Sequence, residues 1–218
     1  MSEPELTHPV VLVLGSASPA RREVLRSAGI DPVVRVSDVD EDALQAALPA
    51  DSAPDVVVVE LARAKAESVA AAPDLPADCV VVGCDSMLLV DGVLQGKPHT
   101  PEVARARWAD MAGRSADLLT GHCVLRIQDG AITASAVDCS STTVHFAKPD
   151  PEELDAYIAT GEPLQVAGAF TLDGMGGWFV DRIEGDPSSV IGIGLPLLRR
   201  LLGDVGVGVA QLWGHSSR

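Results

Sequence analysis

The chain has 218 residues, 47% of them apolar and only 3% aromatic, with 31 acidic against 16 basic residues and a formal net charge of −15. Such a length carries one α/β domain or two small lobes with a real core, here built of Val, Leu and Ala. The charge argues against general nucleic-acid binding, because a polyanionic duplex would be repelled. A small triphosphate with a divalent metal stays compatible with a locally positive pocket.

Residues 1–8 are polar and acidic and do not read as a signal peptide. No apolar run approaches the roughly 20 residues of a membrane span. The four cysteines, Cys79, Cys84, Cys123 and Cys139, show no CxxC and no paired metal spacing. A cytoplasmic protein with reduced thiols is expected, with no membrane partner.

In chain order, the apolar run 10–14 predicts a buried strand, followed by Gly15-Ser16-Ala17-Ser18-Pro19. Ser18 fits a helix N-cap and Pro19 the first helical position, with Gly29 closing the helix. A strand, a Gly/Ser turn and a helix N-terminus form an anion site, because free N–H groups and the helix dipole converge there. Arg21 and Arg22 lie within one turn of it. They read either as phosphate contacts or as solvated arginines on an ordinary capped helix. A short strand is expected over 32–36. The acidic patch Asp38, Asp40, Glu41, Asp42 reads as a solvated turn, or as a source of a metal-holding carboxylate such as Glu41.

Residues 54–72 predict a helix on which Val58, Leu61, Lys65 and Val69 share one stripe. Lys65 on that face either snorkels outward or reaches a buried anion. Residues 79–84 predict a strand that ends in Asp85-Ser86, where ligands gather in α/β sheets. Asp85 is then a turn residue, a metal ligand or a general base. Residues 87–90 and 93–95 predict a hairpin turning at Asp91-Gly92. The hairpin delivers Lys97 between Gly96 and Pro98. Thr100-Pro101-Glu102 opens a helix buried through Val103 or Ala104, Trp108 and Met111. Two long strands over 118–128 and 132–146 join at Asp129-Gly130, and Asp150-Pro151-Glu152-Glu153 caps a further helix. The glycine-rich stretch 161–194 reads as irregular, with a strand over 178–180. A last helix over 195–202 stops at Gly203, and the tail from Trp213 is expected to fray.

The motifs form an ordered set. Ser16-Ala17-Ser18-Pro19 with Arg21 comes first, then Leu61-Ala62 with Lys65-Ala66, Cys84-Asp85-Ser86, and Gly96-Lys97-Pro98. Thr120-Gly121, Gly161-Glu162-Pro163, Ala167-Gly168 and Gly185 follow. In this order they resemble the Maf family of nucleoside triphosphate pyrophosphatases, from about Leu12 to Leu202. The resemblance implies a single α/β domain over 1–218 with an elongated mixed β-sheet, flanking helices and two lobes around a central cleft. It implies hydrolysis of nucleoside triphosphates, non-standard or pyrimidine nucleotides among them, to monophosphate and pyrophosphate. It also implies a divalent metal cation (Mg²⁺ or Mn²⁺), a homodimer and an association with septum formation. By position, Asp85 resembles the family's catalytic acidic residue and a metal ligand, and Glu41 a second acidic ligand. Ser16, Ser18, Arg21, Lys65, Lys97 and Asp173 resemble the substrate-binding set.

Three departures stand out. Ala20 occupies the place of a first arginine. Leu172-Asp173-Gly174 replaces Ile-Gln-Gly, so a carboxylate stands for an amide. The segment from Val190 to Pro196 is slightly longer than in many members. Two other function classes stay open: a nucleotide-binding regulator of cell division without turnover, and a thiol protein acting through Cys84.

Overall fold

The computed structural model describes residues 10–213. The expectations for the amino-terminal segment, and for the tail beyond Trp213, lie outside the described residues. A seven-stranded mixed sheet runs in the order β2-β1-β3-β5-β6-β7, with β4 paired to β3. The strands are β1 (Val11–Leu14), β2 (Val33–Val34), β3 (Cys79–Val90), β4 (Val93–Gln95), β5 (Ser115–Gln128), β6 (Ala131–Phe146) and β7 (Val180–Glu184). β1 is parallel to β2 and β3, and every other pairing is antiparallel. The helices are α1 (Pro19–Ser27), α2 (Glu41–Ala47), α3 (Pro54–Ala70), α4 (Pro101–Met111), α5 (Pro151–Ala159), α6 (Pro187–Ile191) and α7 (Leu195–Asp204). The expected α/β class and mixed sheet are therefore present.

Alternation along the buried strands feeds two faces. Leu12, Leu14, Val80 and Val82 pack with Leu25 of α1 and Leu198 and Leu202 of α7. Val13 and Val81 pack on the other face with Ala62, Ala66 and Val69 of α3. A separate aromatic group at the far end of the sheet centres on Trp108 of α4, whose ring meets Phe146 edge-on at 5.7 Å.

Several local expectations need correction. Asp38 to Asp42 is not merely a solvated turn. Asp40 caps α2 by accepting from the Ala43 N–H at 2.9 Å, and Leu44 and Leu48 pack against Val57, Val58 and Leu61. The strand expected over 32–36 shrinks to Val33–Val34. Asp85 does not end its strand, because β5 pairs with β3 far beyond it, opposing Asp85 with Gly121 and Leu89 with Asp117. The strand expected at Trp178 begins at Val180 instead. Residues Met175–Phe179 turn as a 3₁₀ helix, leaving Trp178 87% exposed. α7 runs through Gly203, and Gly206, at φ +78°, makes the reversal.

Two glycines set how closely α3 approaches the sheet. A Cβ on Gly83 would lie 2.2 Å from the Ala62 carbonyl oxygen, and one on Gly121 would lie 2.2 Å from that of Val58. Helix backbone thus rests directly on strand backbone at β3 and β5. Gly121→Ala should push α3 off the sheet and cost about 1–3 kcal/mol in urea denaturation, the usual penalty of overpacking. Gly203→Ala, a helical position with open space around it, should leave the midpoint unchanged or raise it.

Candidate active site

The cleft opens where parallel pairing stops. β1 accompanies β3 only as far as the Leu14–Val82 pair, closed by Gly15 N–H donating to the Val82 carbonyl at 2.8 Å. β4 joins the same edge only from Leu88. Residues 83–87 therefore have no strand neighbour on that side. In their place lies a cleft of about 970 Å³ that Ser16, Ser18, Arg21, Glu41, Lys65, Asp85, Lys97 and Asp173 all line. The residues of the resembled site are thus brought to one cavity of the size small-molecule sites use, whereas Arg22, the other arginine offered as a phosphate contact, is exposed and does not line it.

Its floor is an ion pair. The α3 stripe carries Lys65 inward, 7% exposed, to meet Asp85, 5% exposed. Lys65 Nζ donates to Asp85 Oδ1 at 2.6 Å and lies 2.9 Å from Glu41 Oε2. Lys65 therefore reaches a buried anion and does not snorkel. Burial pushes the Asp85 carboxyl above the ordinary 3.8, and the Lys65 ammonium opposes that rise without cancelling it. Burial also pushes the half-exposed Glu41 carboxyl up, but Lys65, Lys97 and Asp85 outweigh it and hold Glu41 below its ordinary value. Two neighbouring carboxyls are thus separated in acidity, the arrangement that lets one stay ionised while the other handles a proton.

Arg21 is held differently from a free phosphate ligand. Its Nε donates to Gly192 O at 2.7 Å. Its Nη1 donates to Ser16 Oγ at 3.0 Å and Cys84 O at 2.9 Å, and its Nη2 to Ser86 Oγ at 3.1 Å. Four of its five N–H groups are engaged by the protein. One remains for a ligand. Arg21 thus pins the 16–21 turn, the exposed edge of β3 and the Gly192 loop together. Ser18 Oγ is engaged as the N-cap of α1, accepting from the Arg21 N–H at 3.4 Å.

Beneath Arg21 a polar network continues that the sequence did not disclose. Ser86 Oγ lies 3.0 Å from Thr120 Oγ1, which donates to Ser189 O at 3.1 Å. His122 is fully buried, and burial lowers its pKa to about 4. The neutral ring places Nδ1 3.0 Å from Thr120 O and accepts from Gly194 N–H through Nε2 at 2.9 Å. His122 and Thr120 alternate with apolar positions along β5, a spacing no different from an apolar strand. Their partners lie some 70 residues away, at |i−j| of 72 and 69. Arg107 also lines the cleft and was not anticipated. Its only sequence signal is that it flanks the Ala104, Trp108, Met111 stripe of α4.

Among the described residues no three His, Cys, Asp or Glu side chains gather as a metal cage. Asp85 Oδ2, however, is buried without a hydrogen-bond partner. An unpartnered carboxylate oxygen, with Glu41 held by the same Lys65, would suit a hard divalent ion, since Mg²⁺ commonly takes only one or two carboxylates from the protein. The thiol reading fares worse. The described cysteines are all free, and burial pushes Cys84 up to about 11, Cys123 to about 12 and Cys139 to about 11. No described helix is long and apolar enough to cross a membrane.

Residues 11–205 match the family described as Maf-like protein. A protein of Nocardia farcinica (strain IFM 10152) is 83% identical over 208 residues, covering 95% of this chain and 98% of the relative. One of Rhodococcus opacus (strain B4) is 72% identical, covering 94% of this chain and 97% of its own. One of Mycolicibacterium gilvum (strain PYR-GCK) is 59% identical, covering 92% and 97%. Each of the three carries the name nucleoside triphosphate pyrophosphatase. With the family pattern matched across nearly all the described residues, and relatives this similar over almost their whole length, the chain belongs to the Maf-like family.

Proposed function

We propose that this chain is a nucleoside triphosphate pyrophosphatase. Water attacks the α-phosphorus, the bond from that phosphorus to the bridging oxygen breaks, and nucleoside monophosphate and pyrophosphate result. The observation that carries the reading is the Lys65–Asp85–Glu41 cluster on the floor of a cleft walled by further cations. The names of the relatives support it. The preference for non-standard or pyrimidine bases, a homodimer and a part in septum formation are carried by family resemblance alone, and a cytoplasmic location by the free cysteines.

The residues divide the work by charge and position. Lys65 holds Asp85 Oδ1, so Oδ2 is left to accept a hydrogen bond or a proton from the attacking water. The raised pKa of Asp85, caused by burial, suits a base that must take up a proton. Lys97 and the single open N–H of Arg21 face the polyanion, while Arg21 otherwise keeps Ser16, Cys84 and Ser86 in place. Glu41, held ionised, would be the main carboxylate for Mg²⁺ or Mn²⁺, with Asp85 adjoining when its Oδ2 is not engaged by the water, and such an ion would supply positive charge against the phosphates. Such reactions rest on positioning and electrostatics more than on covalent chemistry.

Pyrophosphate release from a panel of nucleoside triphosphates with Mg²⁺ tests the reading directly. Asp85→Asn should keep the fold and lower turnover by about 10²–10⁴-fold, the usual worth of a general base. Binding without turnover by the wild type would favour a regulatory nucleotide-binding protein instead, and equal turnover by wild type and variant would refute the role of Asp85.

The acid limb of kcat/KM reports a base that must be deprotonated. With burial raising Asp85, that limb should lie above pH 3.8. Lys65→Met removes the ammonium that lowers it, so the limb should move to still higher pH, with kcat/KM down at least about tenfold on the plateau. Unchanged kinetics combined with a gain in stability would make Lys65 a mere core residue.

A further inference from the structure

Twelve arginines lie among the described residues of this strongly acidic chain. Eight have a carboxylate within salt-bridge distance, leaving Arg21, Arg22, Arg107 and Arg199 without one. Arg22 and Arg199 are exposed, whereas Arg21 and Arg107 are half-buried and line the cleft. The hydrogen bonds of Arg21 are almost all satisfied by the protein. Arg107 differs: Nη1 donates to the Gly96 carbonyl, and four of its five N–H groups have no partner among the described residues. The Gly96 carbonyl also accepts from Gly168 N–H at 3.2 Å, so Arg107 is seated against the turn that carries Lys97. Burial lowers the Arg107 pKa, and no nearby carboxylate offsets that loss of solvation. A guanidinium in this condition is unfavourable until an anion arrives. With 31 acidic residues in the chain, the lack of an acid beside it leaves its charge to a ligand.

We propose that Arg107 contacts the substrate, its open guanidinium donors binding oxygens of the β- and γ-phosphates. These become the leaving pyrophosphate, and the inference rests on the pyrophosphatase reading above. A neutral base edge needs no second desolvated cation, whereas a departing pyrophosphate gains negative charge as its bond to the α-phosphorus breaks. Arg107 and Lys97 then form the cationic wall from the α4 side of the cleft. Lys65 and Asp85 form the floor from α3 and β3.

Calorimetric titration of inorganic pyrophosphate into the wild type and into Arg107→Gln, Arg107→Met and Arg107→Lys tests this, alongside the nucleotide panel. Gln retains a donor for the Gly96 carbonyl but no charge, which separates ligand binding from support of the turn. The Gln and Met variants should each weaken pyrophosphate about tenfold or more, the usual worth of a hydrogen bond to a charged group, and Lys should weaken it less. kcat/KM should fall by a similar factor for every nucleotide, with the ranking of bases unchanged. Wild-type affinity for pyrophosphate in Arg107→Gln overturns the proposal, as does a wild type that binds no pyrophosphate. A changed ranking of bases with pyrophosphate affinity intact also overturns it and makes Arg107 a base contact. If the wild type hydrolyses no nucleotide yet loses pyrophosphate affinity in the variants, the activity reading fails and the Arg107 anion site stands.

Discussion

The Lys65 ammonium lies 2.6 Å from Asp85 Oδ1 and 2.9 Å from Glu41 Oε2, in a place almost closed to water. A buried ion pair of this kind is a poor source of stability, because desolvation of both charges offsets much of their attraction. Its value lies in what it arranges. One oxygen of Asp85 is occupied, the other is free, and the neighbouring Glu41 stays ionised. The geometry needs α3 at a distance that only a sheet without side chains at Gly83 and Gly121 allows. Because Gly121 is the cross-strand partner of Asp85, the position that admits the helix sits directly opposite the carboxylate the helix serves.

The sheet itself makes the opening. A short parallel strand, β1, stops beside Val82, while antiparallel β5 carries β3 onward for seven more paired residues, from Gly83 to Leu89. The released edge is not left unsatisfied, since the Cys84 carbonyl accepts from Arg21. Arg21 thereby joins the first turn, the strand edge and the Gly192 loop, and His122 anchors that loop from below at Gly194. Gly192 sits at φ +123°, and a Cβ there would lie 3.1 Å from Arg21 Nε, so the close approach of loop and guanidinium depends on glycine. Cations of two kinds result. Arg21 is mostly structural, and Lys65, Lys97 and Arg107 keep charge facing the cavity or its floor.

Much of this was legible in residue order. The capped starts of α1, α4 and α5 follow from Ser18, Thr100 and Asp150, each followed by proline, and all three caps form. The Lys65 stripe was legible as a helical face. What Lys65 would meet was not, because snorkelling and burial share one periodicity. α2 was hidden by its acidity, since its apolar anchors are only Leu44 and Leu48. Trp178 reads as the start of a strand because Phe179 and Val180 follow it, whereas the glycines before it tighten the chain into a turn.

By itself the sequence determined the α/β class, the capped helices, the long antiparallel hairpin of β5 and β6, and the ordered motifs that mark the family. These are local or periodic properties, set by propensity, capping and alternation within a few residues. Tertiary structure alone decided that Arg21 is bound chiefly by the protein, that Asp85 lies within a strand, and that His122 is a neutral anchor. It also decided that Arg107 is a half-buried guanidinium with most of its donors open and no carboxylate beside it among the described residues. Each of these depends on which distant backbone or carboxylate comes within about 3 Å, the range over which hydrogen bonds act, and no spacing along the chain encodes that.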